Sequence, residues 1–485
     1  MRRAVAIAGA GFAGLACAIR LAERGNKDIL VLEAGPAPGA RTASGVLLRP
    51  GILDAWLPDE RGLAIARRRF AFLSSRRSLC FPVPAGKKRL YRGSGLVRAL
   101  AAKAEALGVE ILFGAPVESL AVGNGRVTGV RVLGETLEAD CVVLAEGAGG
   151  HLLREAHDAG AFPAGSDPKA ERTRAVAFRA DFRFPEADGR RRGLVLQTVG
   201  FPLTQEYPSL YGGGFLYGTA ADRLAAGLVI ALDWARPDFS PHAAWEAWKR
   251  HPLVARFLAG GEEVSCGAKL LPEAGFAGLG AMEGNGIKVA GDAAGLVEPL
   301  DLAGVEGALE SGRAAADAIA DGRPLAAEKL AFAKKMERAR GYREGFRRGL
   351  AAGIAGAAAI VLSGGRIHPR DGGGKPDRET LAPRSPGAVN AGEGKDGREA
   401  ELAFSGLRGN DREAILLDTE RCRACGARFG RPCLVFCPGK VFRAADGGGV
   451  RLQTENCLSC WTCENKCPLA AVSKRATAAG PVYDL

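Results

Sequence analysis

Eight of the twelve cysteines in this 485-residue chain fall between positions 422 and 467. The later four read Cys457-x-x-Cys460-x-x-Cys463-x-x-x-Cys467-Pro468. That spacing wraps thiolates around a cubane [4Fe-4S] cluster, with the fourth cysteine serving a neighbouring cluster. The earlier four, Cys422-x-x-Cys425-x7-Cys433-x-x-x-Cys437-Pro438, repeat the pattern with a longer gap before the third thiolate. Exchanging the fourth cysteines gives two candidate metal sets: Cys422, Cys425, Cys433 and Cys467, and Cys437, Cys457, Cys460 and Cys463. Two clusters are expected, one at minimum. A pair of zinc knuckles is the alternative; such sites pair two C-x2–4-C units and do not need the C-x2-C-x3-C-P ending. Cys17, Cys80, Cys141 and Cys266 stand alone among apolar neighbours and read as core residues.

A second chemistry is written at the N-terminus, in Gly9-Ala-Gly11-Phe-Ala-Gly14. By itself the glycine pattern is weak. Here it follows an apolar strand, opens a helical pattern through Glu23, and is answered by Glu33 at the end of the next strand. Glycines let the backbone approach a pyrophosphate at a helix N-terminus, and the acid takes ribose hydroxyls. NAD and FAD share that much. Two later strand ends favour FAD: Val142–Ala145 closing on Glu146-Gly147, similar to two-dinucleotide-type flavoproteins, and the strand Ile287–Ala290 running into Gly291-Asp292-Ala-Ala-Gly295, which resembles the second phosphate-side motif of those enzymes and so implies that Asp292 meets the ribityl and phosphate region. Arg41, shortly after Glu33, resembles the arginine that those flavoproteins place near the phosphates. No second complete fingerprint calls for NAD(P)H.

The elements that must carry these residues are legible in outline. Apolar residues make up 47% and charged residues 25%, a normal globular balance. No segment offers the ~20 consecutive apolar residues of a spanning helix. Strands are expected at 174–182, 193–199, 212–218 and 225–233, and Ser240-Pro241 reads as the cap and first residue of a helix. A long Ala-rich helix to about Ala320 follows Gly295. Residues 370–411 are poor in large apolar groups and read as a linker. The predicted division is a FAD-binding domain in two parts (1–165 and 266–330), a sheet-rich substrate domain (166–265), a basic and apolar helical segment (331–369), the linker, and an iron–sulfur domain (412–485).

Charge is unevenly spread. Between Arg61 and Arg98 stand eleven Lys or Arg and no acid, close to the whole net charge of +12. Seven more basic residues lie between Lys334 and Arg348, directly before seventeen uncharged residues, 349–365. A basic belt beside an apolar helix is what an anionic membrane surface attracts, at about 1 kcal/mol per well-placed cation; a solvated basic face or a dock for an acidic protein is the plainer alternative. No nucleic-acid partner is expected, for there is neither a binding module nor interleaved aromatics. With no secretory or transit segment at the start, the working place is expected to be the cytoplasm of a prokaryote, peripheral on the inner face of the cell membrane.

Longer motifs carry a resemblance. Ala145-Glu-Gly-Ala-Gly-Gly-His-Leu-Leu, Gly200-Phe-Pro-Leu, Tyr211-Gly-Gly-Gly-Phe-Leu-Tyr217, Gly227-Leu-Val-Ile-Ala-Leu-Asp-Trp234, Trp248-Lys-Arg-His-Pro252, Gly267-Ala-Lys-Leu-Leu-Pro-Glu-Ala-Gly275, Cys437-Pro-Gly-Lys-Val-Phe442 and the closing Gly480-Pro-Val-Tyr483 resemble the electron-transfer-flavoprotein:ubiquinone oxidoreductases. The resemblance implies an α/β plus α+β protein: a Rossmann-like, two-dinucleotide FAD-binding domain with an inserted antiparallel sheet domain and a C-terminal ferredoxin-like [4Fe-4S] domain. It implies electrons taken from reduced electron transfer flavoprotein and delivered to a membrane quinone, with Cys437, Cys457, Cys460 and Cys463 matching the family's single cluster. No catalytic dyad or triad is expected, since the cofactors carry the electrons. The chain departs from the mitochondrial members at Cys422, Cys425, Cys433 and Cys467. It departs again at Gly291–Gly295 and Leu296-Val-Glu-Pro-Leu300, which read more like geranylgeranyl reductases. The alternative activity is accordingly a FAD prenyl reductase fed by ferredoxin; a non-catalytic flavin scaffold is a third reading.

Overall fold

The computed structural model describes residues 2–42, 45–163, 174–203, 210–273, 279–298, 303–326, 329–339, 341–369, 376–384, 415–445, 449–475 and 477. Outside them lie residues 370–375 and 385–411 of the expected linker, Ala274-Gly275, Pro299-Leu300 and the closing Gly480–Tyr483.

The apolar run at the start forms strand Arg2–Ala8, the centre of an eight-stranded sheet. It pairs in parallel with Ile29–Glu33 on one side and Glu135–Leu144 on the other, so that Ala6 stands between Leu30 and Val142. Ile287–Val289 continues the parallel set beyond Val142–Leu144, and Glu110–Phe113 extends it beyond Ile29–Glu33. Strands buried on both faces read as unbroken apolar runs, which is why no alternation marks them in the sequence. Helix Phe12–Glu23 covers the sheet with Leu15, Ile19 and Leu21 fully buried, and packs along helix Val305–Asp321. That second helix begins later than the composition suggests. A short 3-10 turn, Gly291–Ala294, ends at Gly295 in the left-handed region, and the chain makes a bridge between Glu298 and Ala303 before the helix starts.

A second sheet has seven strands, ordered Glu262–Pro272, Arg174–Arg183, Arg223–Ala231, Gly212–Tyr217, Leu194–Gly200, Arg67–Leu73 and Ser78–Pro82. Its last two strands come from the basic window, and Arg67–Leu73 joins in parallel with Leu194–Gly200. The sheet therefore reaches beyond the 166–265 segment at both ends, because strand pairing ignores the sequence distance that composition reading depends on. Helix Pro241–Arg250 lies over it, with Ser240 Oγ accepting from Ala243 N as the cap. Its Trp248 is fully buried and donates Nε1–H to Thr198 Oγ1 at 2.9 Å.

The cysteine-rich residues form a small internally repeated unit. Ile415–Leu417 pairs antiparallel with Val472–Lys474, and Phe442–Ala444 with Val450–Leu452, so each half of the sequence repeat contributes one strand to each pair. Its apolar side chains are continuous with the core of the second sheet. Part of the expected linker is a packed strap. Asp377 is 5% exposed, its Oδ2 accepts from Arg174 N, and Leu381 is buried. Lys466, fully buried between Asn465 and Cys467, donates to the carbonyls of Trp234 at 2.7 Å and Asp377 at 2.9 Å. The linker reading rested on low apolar content and missed both the 3-10 turn Asp377–Thr380 and its packing.

Candidate functional site

The carboxyl ends of the parallel strands open onto a cavity of about 470 Å³, where a doubly wound sheet binds its ligands. Gly9, Gly11, Glu33, Arg41, Gly147, Gly291 and Asp292 all border it. Gly14 and Gly295 do not; they shape the turns behind its wall. A β-carbon on Gly14 would stand 1.9 Å from Gly9 O, so only glycine lets helix and strand meet this closely. A β-carbon on Gly11 would meet nothing within 4 Å, and no side chain caps the first turn of helix Phe12–Glu23. Its backbone N–H groups face a space that an anion can fill.

Glu33 is held in place by two backbone donors. Its Oε2 accepts from Ala10 N at 2.8 Å and its Oε1 from Gly35 N at 2.6 Å, which fixes the carboxylate at the cavity edge. Arg41 donates to the Thr477 carbonyl at 3.2 Å, tying the pocket to the end of the described chain. Across the cavity, Gly291 N donates to Ser311 Oγ. The surrounding protein desolvates Asp292 and pushes its carboxyl up, with the Lys269 cation pulling the other way. Gly304 and Val305 bring the N-terminus of helix Val305–Asp321 to the same wall. The donors, the spacious glycine turn and the two strand-end loops fit a dinucleotide carrying a second ring system.

Two features here went unread in the sequence. The first is an ion pair, Glu146 with His151 Nδ1 at 2.9 Å, with side chains 7% and 15% exposed. Burial pushes Glu146 up, but His151 and the N–H groups of Leu153 and Leu152 outweigh it and hold the carboxyl below its usual range. Burial likewise disfavours the His151 cation, and Glu146 more than restores it. His151 Nε2 meets the Val117 carbonyl at 3.3 Å, so both ring nitrogens face acceptors and the doubly protonated ring suits the site. The second feature is that the cysteine unit supplies part of the cavity wall: Leu458, Ser459, Trp461 and Lys474 border the space that Gly9 and Gly11 border. Glu146-Gly147 signalled a strand end, but nothing in the spacing of either motif says that the two regions meet.

The cysteines are gathered as two sets. Burial raises the thiols of Cys437, Cys460 and Cys463, and sulfur neighbours within the group that includes Cys457 raise them further; Cys437 reaches about 12. These four border one small cavity together with Leu458, Val441 and other apolar groups. In the same way Cys467 acts on Cys422, Cys425 and Cys433, and burial with these neighbours pushes Cys425 to about 12. Cys433 also feels Cys437, so the sets adjoin. All eight are free thiols. The fourth cysteine of each run accepts a backbone N–H: Val441 N to Cys437 Sγ at 3.5 Å, and Ala471 N to Cys467 Sγ at 3.1 Å. Among the described residues, no three His, Cys, Asp or Glu side chains are arranged to hold a single metal ion. Sulfurs gathered in this way, with backbone N–H donors aimed at two of them, fit the donor chemistry of thiolate-bound clusters.

Comparison with known proteins agrees with this geometry. Residues 182–271 match the family described as ETF-QO, ubiquinone-binding; residues 4–83 match FAD dependent oxidoreductase, and 46–177 match FAD binding domain. Among solved structures, a geranylgeranyl bacteriochlorophyll reductase-like protein of Thermoplasma acidophilum shares the fold, with a TM-score of 0.54 at 18% identity over 76% of this chain and 88% of that one. The electron transfer flavoprotein-ubiquinone oxidoreductase of Dictyostelium discoideum is 27% identical over 96% of this chain and 87% of its own length. The probable counterpart in Schizosaccharomyces pombe is 32% identical over 67% of this chain, and only 56% of that relative's length is spanned. The counterpart in Oryza sativa is 31% identical over 72% of this chain and 67% of its own length. With FAD-type folding at the N-terminus and a quinone-binding match in the second sheet, the chain belongs to the electron transfer flavoprotein-ubiquinone oxidoreductase family.

Proposed function

We propose that this protein takes electrons from reduced electron transfer flavoprotein and passes them to a membrane quinone. The observation that carries the reading is the shared wall: residues between the cysteines border the cavity that the fingerprint glycines border, so a flavin and a cluster held there would be neighbours. Bound FAD would exchange one-electron for two-electron chemistry, and bound [4Fe-4S] cubanes would relay single electrons. Gly9, Gly11 and the first turn of helix Phe12–Glu23 hold the pyrophosphate, with Arg41 beside it. Glu33 accepts from ribose hydroxyls, Asp292 and Gly291 meet the ribityl side, and Gly147 leaves room at the facing strand end. The cysteine unit supplies part of the cavity wall through Leu458, Ser459, Trp461 and Lys474. Cys437, Cys457, Cys460 and Cys463 hold the inner cluster, and Cys422, Cys425, Cys433 and Cys467 the outer one, in a ferredoxin-like domain whose halves exchange their fourth thiolates.

The same reading places the protein on the inner face of the cell membrane. Leu79 and Phe81 are exposed on an edge strand beside the cations Arg76 and Arg77, and Val361, Leu362 and Ile367 are exposed at the end of helix Leu350–Ser363. Among the described residues no helix is long and apolar enough to cross a membrane. Exposed apolar groups among cations suit an anionic lipid surface, and attraction of that kind weakens with salt. The prenyl-reductase alternative has the shared fold and the Gly291–Gly295 turn behind it, whereas the wall shared with the cysteine unit supports the quinone reading.

The test is reduction of a soluble quinone analogue by the fully loaded protein, driven by reduced electron transfer flavoprotein. Turnover that needs both the donor and the loaded cofactors is expected. A loaded protein that oxidises the donor without reducing quinone would overturn the reading.

A further inference from the structure

We infer that Trp461 is the bridge by which electrons cross between the Cys437, Cys457, Cys460 and Cys463 set and the flavin cavity, and that His151 and Glu146 hold it in place. The inference rests on the iron–sulfur reading above and names the residue that serves it. Trp461 lies in the chain between Cys460 and Cys463, so bonded atoms run from two of the four sulfurs to its ring. Its indole borders the cavity that Gly9, Gly147 and Gly149 border. Leu458 and Ser459, between Cys457 and Cys460, reach the same wall, but neither carries a conjugated ring.

The ring is placed there against local preference. Trp461 has φ 57°, in the left-handed region that a residue with a β-carbon seldom adopts. Asn465 secures the backbone, its N–H and side-chain Nδ2 both donating to the Trp461 carbonyl, the latter at 2.7 Å. On the opposite side Gly149 makes room, since a β-carbon there would stand 3.0 Å from the indole. The His151 ring stacks on the indole with centroids 5.5 Å apart and planes 14° from parallel. That imidazole cannot rotate freely, because Glu146 takes one nitrogen and the Val117 carbonyl the other. Arg154 pins the same seam, donating to Gly149 O at 3.0 Å and to Glu464 Oε2 at 2.9 Å. A structural seam needs only apolar contact; a flat, conjugated ring with fixed orientation between two redox sites also provides electronic coupling. Each crossing would move one electron from the sulfur-held centre, oxidising it until reduced electron transfer flavoprotein restores the electron, to the flavin side; two crossings with two protons from water would account for one quinone reduced to quinol, and the indole is neutral before and after.

The experiment compares wild type, Trp461→Phe and Trp461→Leu as holoenzymes with flavin and iron counted in each. Rapid photoreduction starts the reaction, and equilibration is followed at flavin and cluster absorbances. Trp461→Leu is expected to slow equilibration about tenfold, equal to about 1.4 kcal/mol of barrier, with Trp461→Phe between it and wild type. Independently of turnover, adding FAD to depleted protein quenches tryptophan emission, and Trp461→Phe loses a share of that quenching. A loaded Trp461→Leu protein that equilibrates at the wild-type rate, or quenching unchanged in Trp461→Phe, overturns the inference alone. A wild type with flavin but no iron overturns the iron–sulfur reading along with it.

Discussion

Gly11 and Gly14 belong to one motif, yet the structure gives them separable jobs, and paired alanine substitutions should split them. At Gly11 the backbone has φ −81° and ψ −170°, open to any residue, and an added methyl meets no atom within 4 Å. Because Gly11 is the N-cap of helix Phe12–Glu23, the loss in fold stability should be at most about 1 kcal/mol. The methyl does project into space that the proposal gives to the pyrophosphate. Holding the phosphate off the helix N-terminus should weaken FAD at least about tenfold, or 1.4 kcal/mol. At Gly14 the methyl would stand 1.9 Å from Gly9 O and 3.2 Å from Ile7 Cγ2. Both are parts of a buried helix–strand crossing that must spread by more than an ångström, at a cost of about 1–3 kcal/mol or more. Denaturant midpoints of FAD-depleted protein and FAD titration by fluorescence give the two readouts. Gly11→Ala should move the titration and spare the midpoint, while Gly14→Ala should lower the midpoint. Unchanged FAD affinity in Gly11→Ala would refute the placement of the phosphates.

Three further outcomes follow from the buried charges and the sulfur sets. Glu273 is fully buried with neither carboxylate oxygen hydrogen-bonded, and burial lifts it to about 7, with Arg343 opposing. A folded-state value above the unfolded one costs stability as pH rises, so Glu273→Gln should stabilise by about 3 kcal/mol at pH 8 and by little at pH 4, read from chemical denaturation. The His151–Glu146 pair behaves differently: the lowered Glu146 contributes above the ordinary carboxylate value and is lost as acid protonates it, while the raised His151 contributes below the ordinary imidazole value and is lost as pH climbs through its folded value. The stability difference between wild type and His151→Phe should therefore peak in the mildly acidic range and shrink on both sides; a flat difference would refute the ion pair. Cys422→Ser should remove about four irons and leave flavin and the inner set intact, whereas Cys460→Ser should remove the inner set.

Local signals carried well into three dimensions where one stretch of chain decides the outcome. The run Arg2–Ala8, the glycines after it and Glu33 could be read together because strand, turn and helix follow one another. Ser240-Pro241 gave its helix for the same reason. Pairings made at long range were not legible. Arg67–Leu73 sits in the second sheet because Leu194–Gly200 lies beside it, and its basic residues drew attention to surface charge instead. Residues 376–384 looked like linker, yet Asp377 and Lys466 fasten them beneath Trp234. The spacing of the two cysteine runs suggests a crosswise pairing, but the approach of Trp461 to His151 depends on how the whole cysteine unit docks, which no motif encodes.

The central claim is that one chain carries a flavin and thiolate-bound iron within reach of each other, and anaerobic purification followed by counting flavin, iron and acid-labile sulfide tests it most directly. The account predicts one flavin and about eight irons per chain, with matching sulfide. Zinc in place of iron, or iron without flavin, would contradict it.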